Sequence, residues 1–371
     1  MKQNIFLTLF LFISINSFSQ EYEFKKMVDL DATDVISQGS TGTCWSFSTS
    51  SFLESEIIRL TGKKIDLSEM YNVRQTYPKK AWNYVMRQGK TQFSEGGLAH
   101  DVMNSVSEHG LVPLSSFSGL EEDATRHNHS EMIAVLKSVL SVYIDKPAKH
   151  LSPKWKEVTE SILDVYLGKK VTSFNYQGKE YTPQSFLAMT KIKPEDYVSL
   201  TSFTHKPMYS EFILNIPDNF SNGSFYNIGL NDLISTIDNA LKNGYTVELD
   251  CDVSEKTFSS KHGVAVIPKD KSKNVEAMTS IVTEVIVTPE LRQQEFENYN
   301  TTDDHLMHIT GALKDQKGNK YYKVKNSWGK NAEYVANDGY IYISEAYMKL
   351  KTISIMVHKD AISKDLKAKL F

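Results

Sequence analysis

A lone cysteine, Cys44, follows the glycine-containing loop 38–43 and begins a run with helical spacing. Apolar residues recur every three to four positions after it, at Phe47, Leu53, Ile57 and Leu60. This spacing predicts a helix with one buried face that begins at Cys44. A thiol in the first turn of a helix meets unpaired backbone N–H groups, which would lower its pKa from about 8.5 and favour the thiolate nucleophile.

Two neighbours of Cys44 fit such chemistry. Gln38 lies just upstream, and its side-chain amide could return beside the thiol as a hydrogen-bond donor to an oxyanion. Trp45 is expected to support the site from the adjacent position. The alternative interpretation is a small buried cysteine that packs a helix, for which two glycines and a tryptophan are poor core-filling neighbours.

A histidine and an asparagine far downstream complete the chemical set. Segments 301–313 and 321–329 have strand character and are separated by a turn. Their antiparallel pairing would bring His305, at the start of one strand, to Asn326, at the end of the next. The amide carbonyl would then hold one ring N–H and leave the other nitrogen facing a thiol. Trp328 would shield this hydrogen bond from water and strengthen it.

His308 competes with His305 for the role of base. Residues three apart on a strand point to opposite faces. His305 follows a polar turn, at a strand end where active-site groups belong. His308 stands between Met307 and Ile309, so we interpret it as a packed or hydrogen-bonded strand residue.

Composition narrows the function classes. The 371 residues are 40% hydrophobic and can bury a large core, and a net charge of −3 gives no basic surface for nucleic acid. A disulfide between Cys44 and Cys251 would consume the nucleophile, so we expect none and interpret Cys251 as a buried strand residue. His127 and His129 lie near acidic residues without metal-ligand spacing, so no metal and no cofactor are expected.

The amino terminus predicts export. One lysine, an apolar run over residues 5–15 and a short polar stretch are typical of a signal peptide at residues 1–20, which is too short to span a membrane. The alternative is a buried amino-terminal helix. We therefore expect a periplasmic or secreted protein, with residues 21–371 as one domain and no stable membrane anchor after cleavage.

The residues above, taken together, resemble the papain-like cysteine peptidases. The matching residues are Gln38, Gly42 to Phe47, His305 and Asn326 to Gly329, in the family's order along the chain. The resemblance implies that Cys44 is the nucleophile, His305 the general base and acid, and Asn326 the group that orients it. It also implies that Gln38 and the backbone N–H of Cys44 form the oxyanion hole. The family glycine after the base matches Gly311, which favours His305 over His308.

A long insertion indicates which branch of the papain-like peptidases the chain resembles. About 260 residues separate Cys44 from His305, against roughly 130 to 150 in a single-domain papain-type peptidase. Several segments are similar to the bleomycin hydrolase and aminopeptidase C branch, at residues 93–97, 108–113, 181–186, 197–201, 249–254 and 301–305. Helical periodicity predicts helices at 131–144, 154–167, 182–190 and 230–242, with loops near 169–179 and 215–227.

The implied fold is α+β, with a helical lobe, an antiparallel β-barrel-like lobe and a family-type helical insertion at about residues 121–200. The site would lie in the cleft between the lobes. Gly96 and Gly97 lack side chains, so their backbone could pair with an extended peptide substrate; a tight turn is an equally good interpretation.

The implied function is hydrolysis of peptides by an aminopeptidase through a thioester. In the branch, a carboxyl-terminal tail blocks part of the cleft, and members are typically cytosolic hexamers. Here the chain reaches Phe371 before the full family tail, so an exported homologue could have lost the exopeptidase restriction, the homo-oligomeric ring, or both. An exported endopeptidase with an open cleft and a non-catalytic peptide-binding module are the alternatives.

Overall fold

The computed structural model describes residues 21–120, 123–331 and 333–371. The signal peptide expected at residues 1–20 lies outside this part of the chain. Among the helices of the described ranges, none combines the length and apolar character needed to cross a bilayer.

Helices form most of the first half of the chain and return in short pieces later. Their bounds are α1 Cys44–Thr61, α2 Glu69–Met86, α3 Ala99–His109, α4 Ser130–Ile144, α5 Trp155–Leu167, α6 Pro183–Thr190, α7 Leu230–Lys242, α8 Asn274–Ala277, α9 Pro289–Glu297, α10 Glu345–Lys351 and α11 Lys364–Leu370.

Strands dominate the second half. Their bounds are β1 Lys25–Asp29, β2 Phe174–Tyr176, β3 Lys179–Tyr181, β4 Tyr197–Thr201, β5 Ser210–Ile213, β6 Ser224–Asn227, β7 Val247–Cys251, β8 Phe258–Ser259, β9 Val264–Ala265, β10 His305–Lys314, β11 Lys320–Lys325, β12 Tyr340–Ser344 and β13 Thr352–His358.

One large sheet runs in the order β5-β6-β4-β13-β7-β10-β11-β12-β9-β8, and β1 pairs with β10. Most pairings are antiparallel, whereas β4–β6 and β9–β12 are parallel. Buried apolar side chains form two large clusters, one mainly from the helices and one mainly from the sheet with α7 and α10. The predicted α+β class is therefore confirmed. The described strands follow an open order, so a barrel-like lobe within a two-lobed fold stays a prediction.

Helix α1 begins at Cys44, as predicted, and is buried on nearly every side. Every residue from Cys44 to Ile57 is buried, and the helix ends where Gly62 adopts φ 71°. The hydroxyl of Ser48 donates to the Met307 carbonyl at 2.6 Å, which ties the helix to strand β10. This all-round packing fixes the position of the thiol relative to β10.

The hairpin β10–β11 carries the downstream residues. The strands are antiparallel, with His308 opposite Lys325, and β7 lies on the other side of β10 with Cys251 opposite His305. The register shifts near Gly311, where a Cβ atom would lie 2.4 Å from the Val28 carbonyl oxygen. Only glycine allows β1 to approach so closely. The predicted antiparallel pairing of β10 with β11 is confirmed.

The four helices predicted between residues 131 and 242 are confirmed as α4, α5, α6 and α7. Thr182 caps α6 by accepting from the Ser185 N–H, and Pro183 occupies its first position. The two loop predictions were partly wrong, because the hairpin β2–β3 overlaps 169–179 and β6 overlaps 215–227. Phe174 and Tyr176 pack edge-on against the buried Phe186, a tertiary contact that the local pattern does not carry.

Candidate active site

The loop before Cys44 is shaped by a glycine and by a backbone pairing. Gly39 has φ 75°, and a Cβ there would lie 2.6 Å from the His127 carbonyl oxygen. Ser40 donates its N–H to that same carbonyl at 2.8 Å. The chain therefore passes close against residues 127–129 and delivers Cys44 to the first position of α1.

Glu95 holds this loop from the opposite side. Its carboxylate accepts from the Gly42 N–H and, at 3.0 Å, from the Thr41 hydroxyl. Its backbone carbonyl accepts from the Trp45 indole N–H at 2.9 Å. The fully buried Trp45 thus fastens segment 95–97 to the first turn of α1, beside the thiol.

His305 and Asn326 meet as the hairpin predicts. The Nε2–H of His305 donates to Asn326 Oδ1 at 2.8 Å, and the Ser327 N–H donates to the same oxygen at 2.7 Å. Two donors on one atom identify it as the amide oxygen. The proton of a neutral His305 therefore resides on Nε2, which leaves Nδ1 free to accept another.

Trp328 covers the imidazole. Its ring centroid lies 4.8 Å from that of His305, and the ring planes are tilted by 32°. Trp328 is 40% exposed, whereas His305 and Asn326 are each 4% exposed. The indole therefore separates the His305–Asn326 hydrogen bond from solvent.

Gln38 is held next to this hairpin end. Its backbone N–H donates to the Ser327 carbonyl at 2.8 Å, and its side-chain oxygen accepts from the Ser327 hydroxyl at 2.5 Å. One N–H of its amide donates to the Thr41 carbonyl at 2.6 Å. Since a primary amide has two N–H donors, one remains for an oxyanion in the cleft.

The electrostatics of the thiol differ from the sequence expectation. Burial raises the pKa of Cys44 to about 12, and the charges of Asp303, Asp218 and Asp250 act in the same direction. A hydrogen bond from the backbone of Leu306 opposes them. The expectation of a lowered pKa was wrong for the thiol taken singly, because burial and acidic neighbours outweigh the helix terminus.

The imidazole responds to burial in the opposite sense. Burial lowers the pKa of His305 to about 4, and the bond to Asn326 partly offsets this by raising it. Burial therefore favours the neutral form of each group taken singly. Proton transfer from Cys44 to His305 would create two charges that stabilise each other, so the groups titrate as a pair that shares one proton.

These groups line one open cleft of about 1340 Å³. Five of the residues expected at the site border it: Gln38, Cys44, Gly96, His305 and Trp328. Asn326 stands behind His305, and Trp45 and Gly97 pack together beneath the wall, where a Cβ on Gly97 would lie 3.0 Å from the Trp45 ring. The remaining lining residues come from separate segments: Ser40, Thr41, Gly42, Phe93, Ser94, Glu95, Ile133, Lys137, Asp218, Val253 and Asp304.

Sequence reasoning missed two of the acidic residues of this cleft. Glu95 was visible beside Gly96 within a segment that resembles the family, and only its role was overlooked. Asp218 lies in a segment interpreted merely as a loop, with no motif around it. No local sequence signal indicates that Asp218 lines the same cleft as Cys44.

The two residues set aside at the sequence level are packed. His308 is fully buried, with Nδ1 3.0 Å from the Ser51 hydroxyl. Cys251 is a buried free thiol on β7. Both interpretations are confirmed.

A carboxylate trio lies elsewhere, between α1 and α2. Ligand atoms of Glu54, Asp66 and Glu69 all lie within 4.8 Å of one another. Burial raises the pKa of Glu54 to about 7, while the charge of the nearby Lys325 lowers it. The ammonium group of this lysine is the positive charge beside the three carboxylates. All four side chains border a cavity that is separate from the cleft of Cys44 and His305.

The architecture is that of a papain-type cysteine peptidase, and the comparisons with known families agree. The description "Papain family cysteine protease" matches residues 20–145, and "Peptidase C1-like family" matches residues 85–371. Because the second match spans well over half of the sequence, the chain belongs to the Peptidase C1-like family. The resemblance drawn from the sequence is confirmed.

Relatives and a solved structure cover most of the chain. Aminopeptidase C of Listeria monocytogenes is 24% identical, over 90% of this chain and 82% of its own length. Aminopeptidase G of Lactobacillus delbrueckii subsp. lactis is 23% identical, over 91% and 83%. The crystal structure of PepW from Lactobacillus rhamnosis superposes with a TM-score of 0.74 at 19% identity, over 93% of this chain and 84% of that one.

Proposed function

We propose that this protein is a cysteine aminopeptidase whose catalytic residues are Cys44, His305, Asn326 and Gln38. The observation that carries the proposal is the His305–Asn326 hydrogen bond of 2.8 Å. Because the amide oxygen accepts, this bond places the proton of the neutral imidazole on Nε2. Nδ1 is then the proton acceptor in the cleft that Cys44 also lines.

Throughout the reaction, His305 accepts and donates the protons that pass between Cys44, the departing amine and water. His305 Nδ1 takes the Cys44 proton as Sγ attacks the peptide carbonyl carbon, and the resulting oxyanion accepts from the Cys44 backbone N–H and the Gln38 amide. His305 then protonates the departing amine, and a thioester remains on Cys44. Water, deprotonated by His305, attacks the thioester carbonyl, releases the carboxylic acid and returns the proton to sulfur.

The aminopeptidase part of the proposal draws on the names of the relatives, aminopeptidases C and G. An endopeptidase with an open cleft is the second candidate. It is favoured by the position of Phe371, whose ring packs 5.2 Å from that of Tyr226 on strand β6, among residues that do not line the cleft. The non-catalytic alternative requires that Cys44 be unreactive.

A thiol-directed peptide electrophile tests the nucleophile. We expect one adduct, located at Cys44 by peptide mass mapping, and loss of both the adduct and hydrolysis in Cys44→Ala. Cys251→Ala is the matched control, because that thiol is buried in the sheet and should leave labelling unchanged. Absence of an adduct at Cys44, or activity above a few per cent in Cys44→Ala, would refute the peptidase assignment.

Free and acetylated aminoacyl coumarylamides separate the two peptidase candidates. An aminopeptidase requires the free α-amine, so the acetylated substrate should be cleaved far more slowly. Equal rates on both substrates would favour the endopeptidase.

We also propose that the protein is exported through residues 1–20 and that it forms the homo-oligomer that the family resemblance implies, with loss of this assembly as the alternative. The run of apolar residues after Lys2 supports export. Amino-terminal sequencing of protein recovered outside the cytoplasm should begin near Gln20. Light scattering of the same material should give a mass above that of one chain.

A further inference from the structure

The loop 214–223, between β5 and β6, carries a carboxylate into the active-site cleft. Asp218 lines the cleft together with Cys44 and His305. The loop is braced internally by Asn219, whose amide donates to the carbonyls of Leu214 and Gly223 at 2.9 Å each. Gln92 donates to Asp218 Oδ1 at 2.8 Å, so the carboxylate is anchored from the neighbouring wall.

Asp218 occupies the space above Gly96. A Cβ built on Gly96 would lie 1.9 Å from Asp218 Oδ2 and 2.4 Å from its Cγ. The missing side chain of Gly96 therefore makes room for this carboxylate. The Gly96 carbonyl is also engaged, since it accepts from the Lys80 ammonium.

The position of Asp218 along the cleft follows from the chemistry. His305 must protonate the departing amine, so the leaving group extends past His305 and the Trp328 ring that covers it. The acyl part then runs the other way from Cys44. Gly96 lines the cleft with Cys44, and Trp45 fastens the preceding Glu95 carbonyl to the first turn of α1, so we infer that the acyl part lies along Gly96.

The charge at this end of the cleft is negative. Asp218 is among the groups whose charge raises the pKa of the Cys44 thiol, after burial and Asp303. Burial raises the pKa of Asp218, while the charge of Lys80 lowers it. Asp303 and Asp250 share a hydrogen bond, and burial raises the pKa of both carboxyls, which reduces the negative charge that they contribute. Lys80 opposes Asp218 with one positive charge, while Glu95 adds another negative one.

We propose that Asp218 binds the α-ammonium group of the substrate and closes the acyl side of the cleft, so that peptides enter by their free amino terminus. This inference rests on the proposed peptidase function and deepens it. The ligand class is a peptide or aminoacyl amide with an unblocked, protonated amine. A carboxylate held by Gln92 and seated on Gly96 is a preformed partner for that cation, because its position does not depend on the substrate.

The test compares kcat/KM of Asp218→Asn and the unaltered protein on leucyl and arginyl coumarylamides, each with a free or an acetylated amine. Loss of one charge-assisted pair should lower kcat/KM on the free amines about 10- to 100-fold. The acetylated substrates should be cleaved as before or faster, so the selectivity ratio collapses. Asp218→Glu should retain part of the selectivity, because the charge is kept.

Two matched variants test whether the change in selectivity comes from the charge of Asp218 or from the anchoring of its loop. Glu211→Gln removes an equal charge from the exposed face of β5 and should leave the ratio unchanged. Gln92→Ala removes the anchor but keeps the carboxylate, and should reduce the ratio only slightly. If Asp218→Asn keeps the ratio, or if Glu211→Gln lowers it as much as Asp218→Asn does, the inference is overturned.

Folding and the proposed function are controlled separately. Thermal melts and labelling of Cys44 establish that each variant is folded with a reactive thiol. Asp218→Ser, which also removes the charge, serves as the second variant if Asp218→Asn melts early. An unaltered protein that neither hydrolyses nor labels would refute the peptidase function itself, whereas normal hydrolysis with unchanged selectivity refutes only the role of Asp218.

Discussion

Replacing Asn326 with alanine removes the acceptor on which the orientation of His305 depends. Asn326 Oδ1 accepts from His305 Nε2 at 2.8 Å and from the Ser327 N–H at 2.7 Å. All three residues are buried, and Trp328 covers the imidazole. The substitution therefore leaves two donors without their partner in a place that water reaches poorly.

The magnitude follows from those two donors. Each buried donor left unpaired costs about 1–3 kcal/mol, so the free energy of unfolding should fall by about 2–6 kcal/mol. The bond to Asn326 raises the pKa of His305, which burial has lowered to about 4. Its loss lowers that pKa further and disfavours the imidazolium that protonates the leaving amine. Loss of about 1.4 to 2.8 kcal/mol from the transition state corresponds to roughly a 10- to 100-fold lower kcat/KM.

The assay measures denaturant unfolding and kcat/KM on the same preparation. Asn319→Ala is the matched control, because this asparagine lies in the β10–β11 turn and its side-chain amide donates to Asp315 Oδ2 at 2.7 Å. It should change stability slightly and leave kcat/KM alone. A folded Asn326→Ala protein with unchanged kcat/KM would refute the assigned role of the hydrogen bond.

Two other outcomes follow from the same site. Burial lowers the pKa of His305 to about 4 and raises that of Cys44 to about 12, so the pair holds one proton between these values. We therefore expect kcat/KM to be flat near neutrality and to fall only as the pH drops through about 4. A pH–rate profile that falls near the ordinary histidine pKa of about 6.5 would contradict this. Gln38→Ala should lower kcat about 100- to 1000-fold with little change in KM, as expected for the loss of an oxyanion donor; steady-state kinetics that show only a raised KM would assign Gln38 to substrate binding instead.

Much of the site was predictable because its parts are local patterns. The helix start at Cys44 follows from periodicity, and the meeting of His305 with Asn326 follows from two strands joined by a short turn. Helix α6 carries a cap and a proline at the expected positions, Thr182 and Pro183. Each of these signals lies within a few residues of the element that it specifies.

The errors arose where distant segments meet. The hairpin β2–β3 is stabilised by aromatic packing on α6, so its residues resembled a loop in isolation. The pKa of Cys44 depends on burial and on carboxylates from three other segments, which a helix-terminus argument does not include.

The sequence by itself indicated the family, and it gave the candidates for the nucleophile, the base and the residue that orients the base. These depend on residue type and on short-range order, which the chain carries in each segment. Only the tertiary structure decided how burial and distant carboxylates raise the pKa of the thiol, and only it brought Asp218 over Gly96. Burial and long-range proximity depend on how the whole chain packs, and a loop residue without a motif gives no local sign of the distant backbone that it will meet.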